Sequence, residues 1–201
     1  MARASIRLSC ACGSSTCTTA SPVSTRDAPM SANWKSVAAS VALLVAQMGN
    51  AMALPAELNG LQLRGQGTLR WFGFKLYDSA LYTPAAQPFQ WARPFALEIR
   101  YARSIAGAKL VETSLEEMLR YGMPERVRAA WAEHMRRAFP DVKEGDVLLG
   151  AMDGAVVRFW LNGRLTHRID DPLFGQLFFR IWLDPASRAP AVREQLLGGR
   201  G

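Results

Sequence analysis

The chain has 201 residues, a formal charge of +7 and 49% hydrophobic residues. That length suits one domain or one domain with a tail, and the apolar content excludes disorder for residues 51–201, which hold 18 of the 19 aromatics. No run approaches about 18 strongly apolar residues, which excludes a polytopic membrane protein.

Residues 1–29 are rich in Ser, Thr and Ala and contain all three cysteines, Cys10, Cys12 and Cys17. They read as a non-native or disordered extension. Met30, Lys35, the apolar run Val37 to Ala46 and the small-x-small triplet Ala51-Met52-Ala53 follow the order of a signal peptide. The sequence thus predicts a signal over residues 30–53, cleavage after Ala53 and a periplasmic or secreted mature chain of residues 54–201. Export would leave that chain without cysteine, so its core alone must hold the fold. Four of the 24 basic residues and one of the 17 acidic residues precede Leu54, which leaves a net charge of +4. The remaining basic residues are dispersed, without aromatic interleaving, and this argues against a nucleic-acid partner.

Beyond Leu54, Leu58 to Leu63 and Thr68 to Phe72 read as short strands separated by Gly65 and Gly67. Phe74 to Tyr82 is a third strand, ended by Thr83-Pro84. Phe95 to Ala102 alternates apolar and polar residues, the pattern of a strand with one buried face. Ser114-Leu115-Glu116-Glu117 has the form of a capping box and predicts a short helix starting there and ending at Gly122. A second helix is expected over Glu125 to Phe139, with Val127, Ala130, Trp131, His134, Met135 and Ala138 on one stripe and Pro140 as its stop. Val147 to Met152, Ala155 to Leu161 and Arg164 to Ile169, joined by Asp153-Gly154 and Asn162-Gly163, predict a three-stranded meander. Asp170-Asp171-Pro172 predicts the cap of an apolar, buried helix ending at Asp184-Pro185, and Pro190 to Leu197 a last short one. Strands, then helices, then a meander, then helices indicate an α+β protein, an antiparallel sheet with helices packed on one face in an open-faced β-sandwich.

Gly65-x-Gly67-x-x-Arg70, FKLYDSALY, FALEIRYAR and the hairpin running into DPLFGQLFFRIWLDP, with Arg193 beyond, resemble in order and spacing the chalcone isomerase fold family over residues 58–197. The resemblance implies a cleft between sheet and helices. It also implies an arginine after the glycine-containing strand that meets an anionic oxygen of the ligand, which Arg70 matches best. The family includes chalcone-closing isomerases, fatty-acid-binding relatives, non-catalytic helpers and haem-binding members. The isomerases carry a helical tyrosine ahead of the strand equated with FALEIRYAR. Here Thr83 to Pro94 has Phe89 and Trp91 but no tyrosine, which weakens the isomerase reading.

Arg70 is therefore the expected anchor for a carboxylate or phenolate in an apolar cleft. Tyr77 and Tyr82 have odd spacing and must face opposite ways, as must Arg100 and Tyr101, so all four are candidate ligand contacts of which at most one in each pair faces inward. Arg103 extends the second cluster. His134 is the residue considered for haem iron, while His134 and His167, 33 positions apart, offer no metal-ligand spacing. The expected function is binding of a small apolar or aromatic amphiphile with an acidic head, such as a fatty acid, without a cofactor. An intramolecular lyase or isomerase acting on an enone or phenol is the alternative, and haem binding the second.

Overall fold

The structure, a computed structural model, describes residues 54–199. The expectations for residues 1–29 and 30–53 lie outside the described residues. Six strands, β1 (Leu61–Trp71), β2 (Phe74–Pro84), β3 (Phe95–Tyr101), β4 (Val147–Asp153), β5 (Val156–Leu161) and β6 (Arg164–Asp170), pair in sequence order into one antiparallel sheet. Helices α1 (Gly107–Arg120), α2 (Arg128–Ala138), α3 (Pro172–Leu183) and α4 (Pro190–Leu196) supply the helical layer. This is the α+β architecture expected.

Turn chemistry sets the hairpins. Asn162 and Gly163 both take positive φ (50° and 79°) between Leu161 and Arg164, the geometry that matches the twist of the flanking strands. Gly154, at φ 58°, turns β4 into β5. The first hairpin uses the same geometry at a less suitable sequence, with Phe72 at φ 48° and Gly73 at φ 82°.

Gly65 and Gly67 do not interrupt the first strand. β1 is continuous over 11 residues, with a register shift between Leu63 and Gly65. The glycines instead seat the terminal helix: a Cβ on Gly65 would lie 2.3 Å from the Gln195 carbonyl oxygen, and one on Gly67 3.1 Å from that of Val192. Glycine there lets α4 lie directly on the strand.

β3 also departs from expectation, being buried on both faces. Phe95, Leu97, Ile99 and Tyr101 join the main core under the helices. Ala96 packs with Leu149, Ala151 and Trp160 on the far face, where Leu58 and the half-buried Leu54 and Leu61 cover it. Small side chains at Ala96 and Ala151 make room for this second cluster.

The capping box is not a helix start. α1 begins at Gly107, seven positions before Ser114, and its first N–H is taken by Asp141 Oδ1 at 2.8 Å, an acceptor 34 residues later in the chain. Gly107 is needed for that closeness, because a Cβ there would stand 2.3 Å from the Phe139 carbonyl oxygen. The second predicted helix begins as a single 3-10 turn, Glu125–Val127, before α2. Its buried stripe is Trp131, Ala132, Met135 and Ala138, with Ala130 exposed. Asp171 does cap α3 as expected: Oδ1 accepts from the N–H groups of Leu173 and Phe174, and Oδ2 accepts from Trp131 Nε1 at 3.0 Å. That one carboxylate starts α3 and ties it to α2. Among the described residues no helix is long and apolar enough to cross a membrane.

Candidate functional site

A cavity of about 410 Å³ lies between the helix-facing side of the sheet and helices α1 and α3. Its size falls within the range of small-molecule sites. Leu97, Ile99 and Leu148 form the sheet wall, Leu110 comes from α1, and Phe178 and Trp182 come from α3. The wall beneath is rigid: Phe159 and Phe178 meet edge to face at 5.2 Å, as do Phe139 and Phe159 at 5.0 Å.

Two phenols enter this apolar space. Tyr77 on β2 and Tyr101 on β3 are direct cross-strand partners, so both side chains stand on the same face of the sheet. Trp182 Nε1 donates to Tyr77 Oη at 2.9 Å, which leaves the Tyr77 hydroxyl proton free to donate. Tyr101 is only 6% exposed and lines the cavity, and no group among the described residues hydrogen-bonds its hydroxyl. Burial pushes the Tyr77 phenol up to about 12. Burial, with Tyr77 adjoining, drives Tyr101 upward as well. Both phenols are therefore neutral donors at physiological pH, suited to an oxygen acceptor on a bound molecule.

Charge sits at the rim. Lys109, in the first turn of α1, is exposed and paired with Glu112 at 2.7 Å, which raises its pKa. Buried Glu117 is bound by Arg120 and by Arg188 at 3.0 Å. Two guanidinium groups thus offset the one buried carboxylate bordering the cavity.

The structure divides the five residues expected to meet a ligand. Tyr77 and Tyr101 line the cavity; Arg70, Tyr82 and Arg100 do not. The opposed faces predicted for Tyr77 against Tyr82 and for Tyr101 against Arg100 are both present. On the far face Tyr82 Oη donates to Glu98 at 3.2 Å, and Arg100 donates to the same carboxylate at 3.3 Å. Burial and Glu98 raise the Tyr82 phenol to about 12. Arg70 is exposed in the first hairpin and donates to the Gly73 carbonyl at 3.4 Å. A register shift between Leu69 and Arg70 separates it from the inward-facing Leu69. Sequence reasoning missed Lys109, Glu117, Trp182 and Arg188. The amphipathic pattern of α1 holds a signal for the first two, but nothing local marks Trp182 or Arg188 as neighbours of β2.

His134 and His167, 33 positions apart, are brought together by the packing of α2 against β6. His134 Nδ1 lies 2.9 Å from His167 Nε2. Neither lines the cavity, which has no histidine or cysteine in its wall, so the residues present do not fit a His-ligated haem there. The described residues hold no group of three or more His, Cys, Asp or Glu arranged for a metal ion.

The profile described as chalcone isomerase-like matches residues 43–198. The chain belongs to the chalcone isomerase-like family. An uncharacterized protein of Haemophilus influenzae is 27% identical over 136 residues, which cover 67% of this chain and 66% of that protein, just under two thirds of its length. The crystal structure of a fatty-acid binding protein of Arabidopsis thaliana superposes with a TM-score of 0.54 at 10% identity, covering 69% of this chain and 87% of that one. At that identity the likeness is one of fold, and it places this chain's sheet-and-helix arrangement within the family. Residues 85–94 form a loop of turns, and Phe89 packs on Phe95 at 5.0 Å.

Proposed function

We propose that this protein is an exported carrier of a small amphiphile, a fatty acid or a molecule of similar form, held with its apolar body in the cavity. The observation that carries the reading is Tyr101, a neutral phenol that has no hydrogen-bond partner among the described residues and stands at the wall of a 410 Å³ apolar space. That hydroxyl opens onto the cavity, where a carboxylate oxygen of a ligand would give it a charge-assisted hydrogen bond. Tyr77, opposite it, supplies a second donor, so a carboxylate can be met on both oxygens. Lys109 and Arg188 at the rim favour an acidic head during entry. The fatty-acid binding protein of the same fold supports this choice of ligand class, and the signal-like residues 30–53 support export.

Titration with a fluorescent long-chain fatty acid, displaced by its unlabelled form, tests the binding. Tyr101→Phe is expected to weaken affinity about 10-fold, the loss of one hydrogen bond to a charged acceptor. Leu110→Trp, which fills the cavity from α1, is expected to abolish saturable binding. Wild-type affinity in both variants would overturn the site. A retained far-UV circular dichroism spectrum excludes unfolding as the cause of any loss.

A further inference from the structure

The first hairpin ends in an aromatic tip that none of the described residues covers. Trp71 is 62% exposed, Phe72 87% and Phe74 71%. Phe72 holds φ 48°, a left-handed conformation usual for Asn or Gly and unfavourable for a bulky aromatic. The turn therefore keeps an exposed ring where a polar residue would suit the backbone better. Register pairing of β2 with β3 begins at Tyr77 and a last bond runs from Ala102 N–H to the Leu76 carbonyl, so Phe74 and Lys75 run past the ladder. That overhang is about 7 Å at the usual strand rise.

Two further observations give the tip a direction. Trp71 also lines the cavity, so the tip adjoins the ligand space. The same end of the sheet carries Arg70, Lys75, Arg103, Lys143 and Arg164, all exposed, against Asp78, Glu144 and Asp146. Ala102 N–H bonds the Leu76 carbonyl, which sets Arg103 beside the tip, and Gly145 N–H bonds that of Tyr101, which brings Lys143 one strand further, while Arg164 opens β6 at the opposite edge of the sheet. Lys75 is already matched by Asp78, which leaves Arg70 and Arg103 as the cations flanking the aromatics.

We infer that this hairpin docks the protein on a bilayer containing anionic lipid, with Trp71, Phe72 and Phe74 entering the interface and the basic residues meeting the headgroups. A narrow two-residue turn offers little area to a flat protein partner, whereas aromatics with flanking cations suit the headgroup boundary, which interfacial segments enter by about 5–10 Å. The cavity mouth would then face the membrane. This goes beyond carriage of a ligand, since a carrier can also load from solution.

The test is flotation of the full chain with phosphatidylcholine vesicles, with and without a minority of phosphatidylglycerol. The variants are Phe72→Asn, which suits the left-handed turn and keeps the hairpin, and Phe74→Ser. Wild-type protein is expected to float with the anionic vesicles and to be released by salt, and each variant to partition at least 10-fold less. Wild-type flotation by both variants, or no flotation of the wild type, would overturn the inference. So would wild-type self-association that Phe72→Asn abolishes, because that assigns the tip to a second copy. Titration of Phe72→Asn with the fluorescent fatty acid keeps the readings apart. Retained binding with lost flotation supports docking, while flotation without any fatty-acid binding overturns the carrier reading alone.

Discussion

Four tyrosines occupy this chain, and position decides what each can do. Tyr101 and Tyr82 stand at opposite ends of the β2–β3 ladder and on opposite faces of it. One is left with an unspent hydroxyl in an apolar space, and the other is bonded to Glu98. The histidines show the same dependence on placement. His167 is half-buried against His134, and its burial, His134 and Arg137 all oppose its positive charge and lower its pKa. The unfolded chain, with the ordinary value of 6.5, therefore takes up a proton before the folded one as the pH falls. Stability is expected to be full above pH 6.5 and to decline below it, until the folded pKa too is passed. Urea midpoints between about pH 8 and pH 5 check this. The decline should shrink in His167→Gln, and an unchanged slope in that variant would assign it to other groups.

Among the elements, the hairpins and helix α3 carry their signals in adjacent residues, and α1 does not. Asn162-Gly163 and Asp171-Pro172 act within one turn of themselves, so they are visible as sequence. The start of α1 depends on Asp141, brought to Gly107 by the isolated bridge between Ile105 and Val142. Ser114 imitates a cap but lies in mid-helix, where its neighbours already bond to one another. Asp141→Ala is accordingly expected to cost about 1 kcal/mol, as loss of a cap does, and Ser114→Ala less than about 0.5 kcal/mol. Thermal or urea unfolding of the two variants distinguishes them, and the reverse order would restore Ser114 as the start. The glycines of β1 belong here too. Taken alone they read as strand breaks, and only α4 lying across them shows why a side chain is excluded.

For the molecule as a whole, a cavity between rigid layers makes stability depend on occupancy. A ligand that binds only the folded chain at about 100 times its dissociation constant adds about 2.7 kcal/mol. The melting temperature of the wild type should rise with fatty-acid concentration, and that of Leu110→Trp should not. A differential scanning fluorimetry series measures both. Equal shifts in the two proteins would place the ligand elsewhere on the surface.

The sequence by itself determined the fold class, the turns of the meander, the cap of α3 and the opposed faces of each paired residue, and its motifs carried the resemblance to the family. The fold class, turns, cap and faces follow from alternation, turn chemistry and spacing along the chain, which are local. Only the tertiary structure decided which face was inner, and so chose Tyr77 and Tyr101 over Tyr82, Arg70 and Arg100. It also covered the back of β3 with Leu58, joined His134 to His167, and set Trp182 on Tyr77. A strand's two faces are equivalent in its own sequence. The distinction comes from what packs on each, and those partners lie up to 105 residues away.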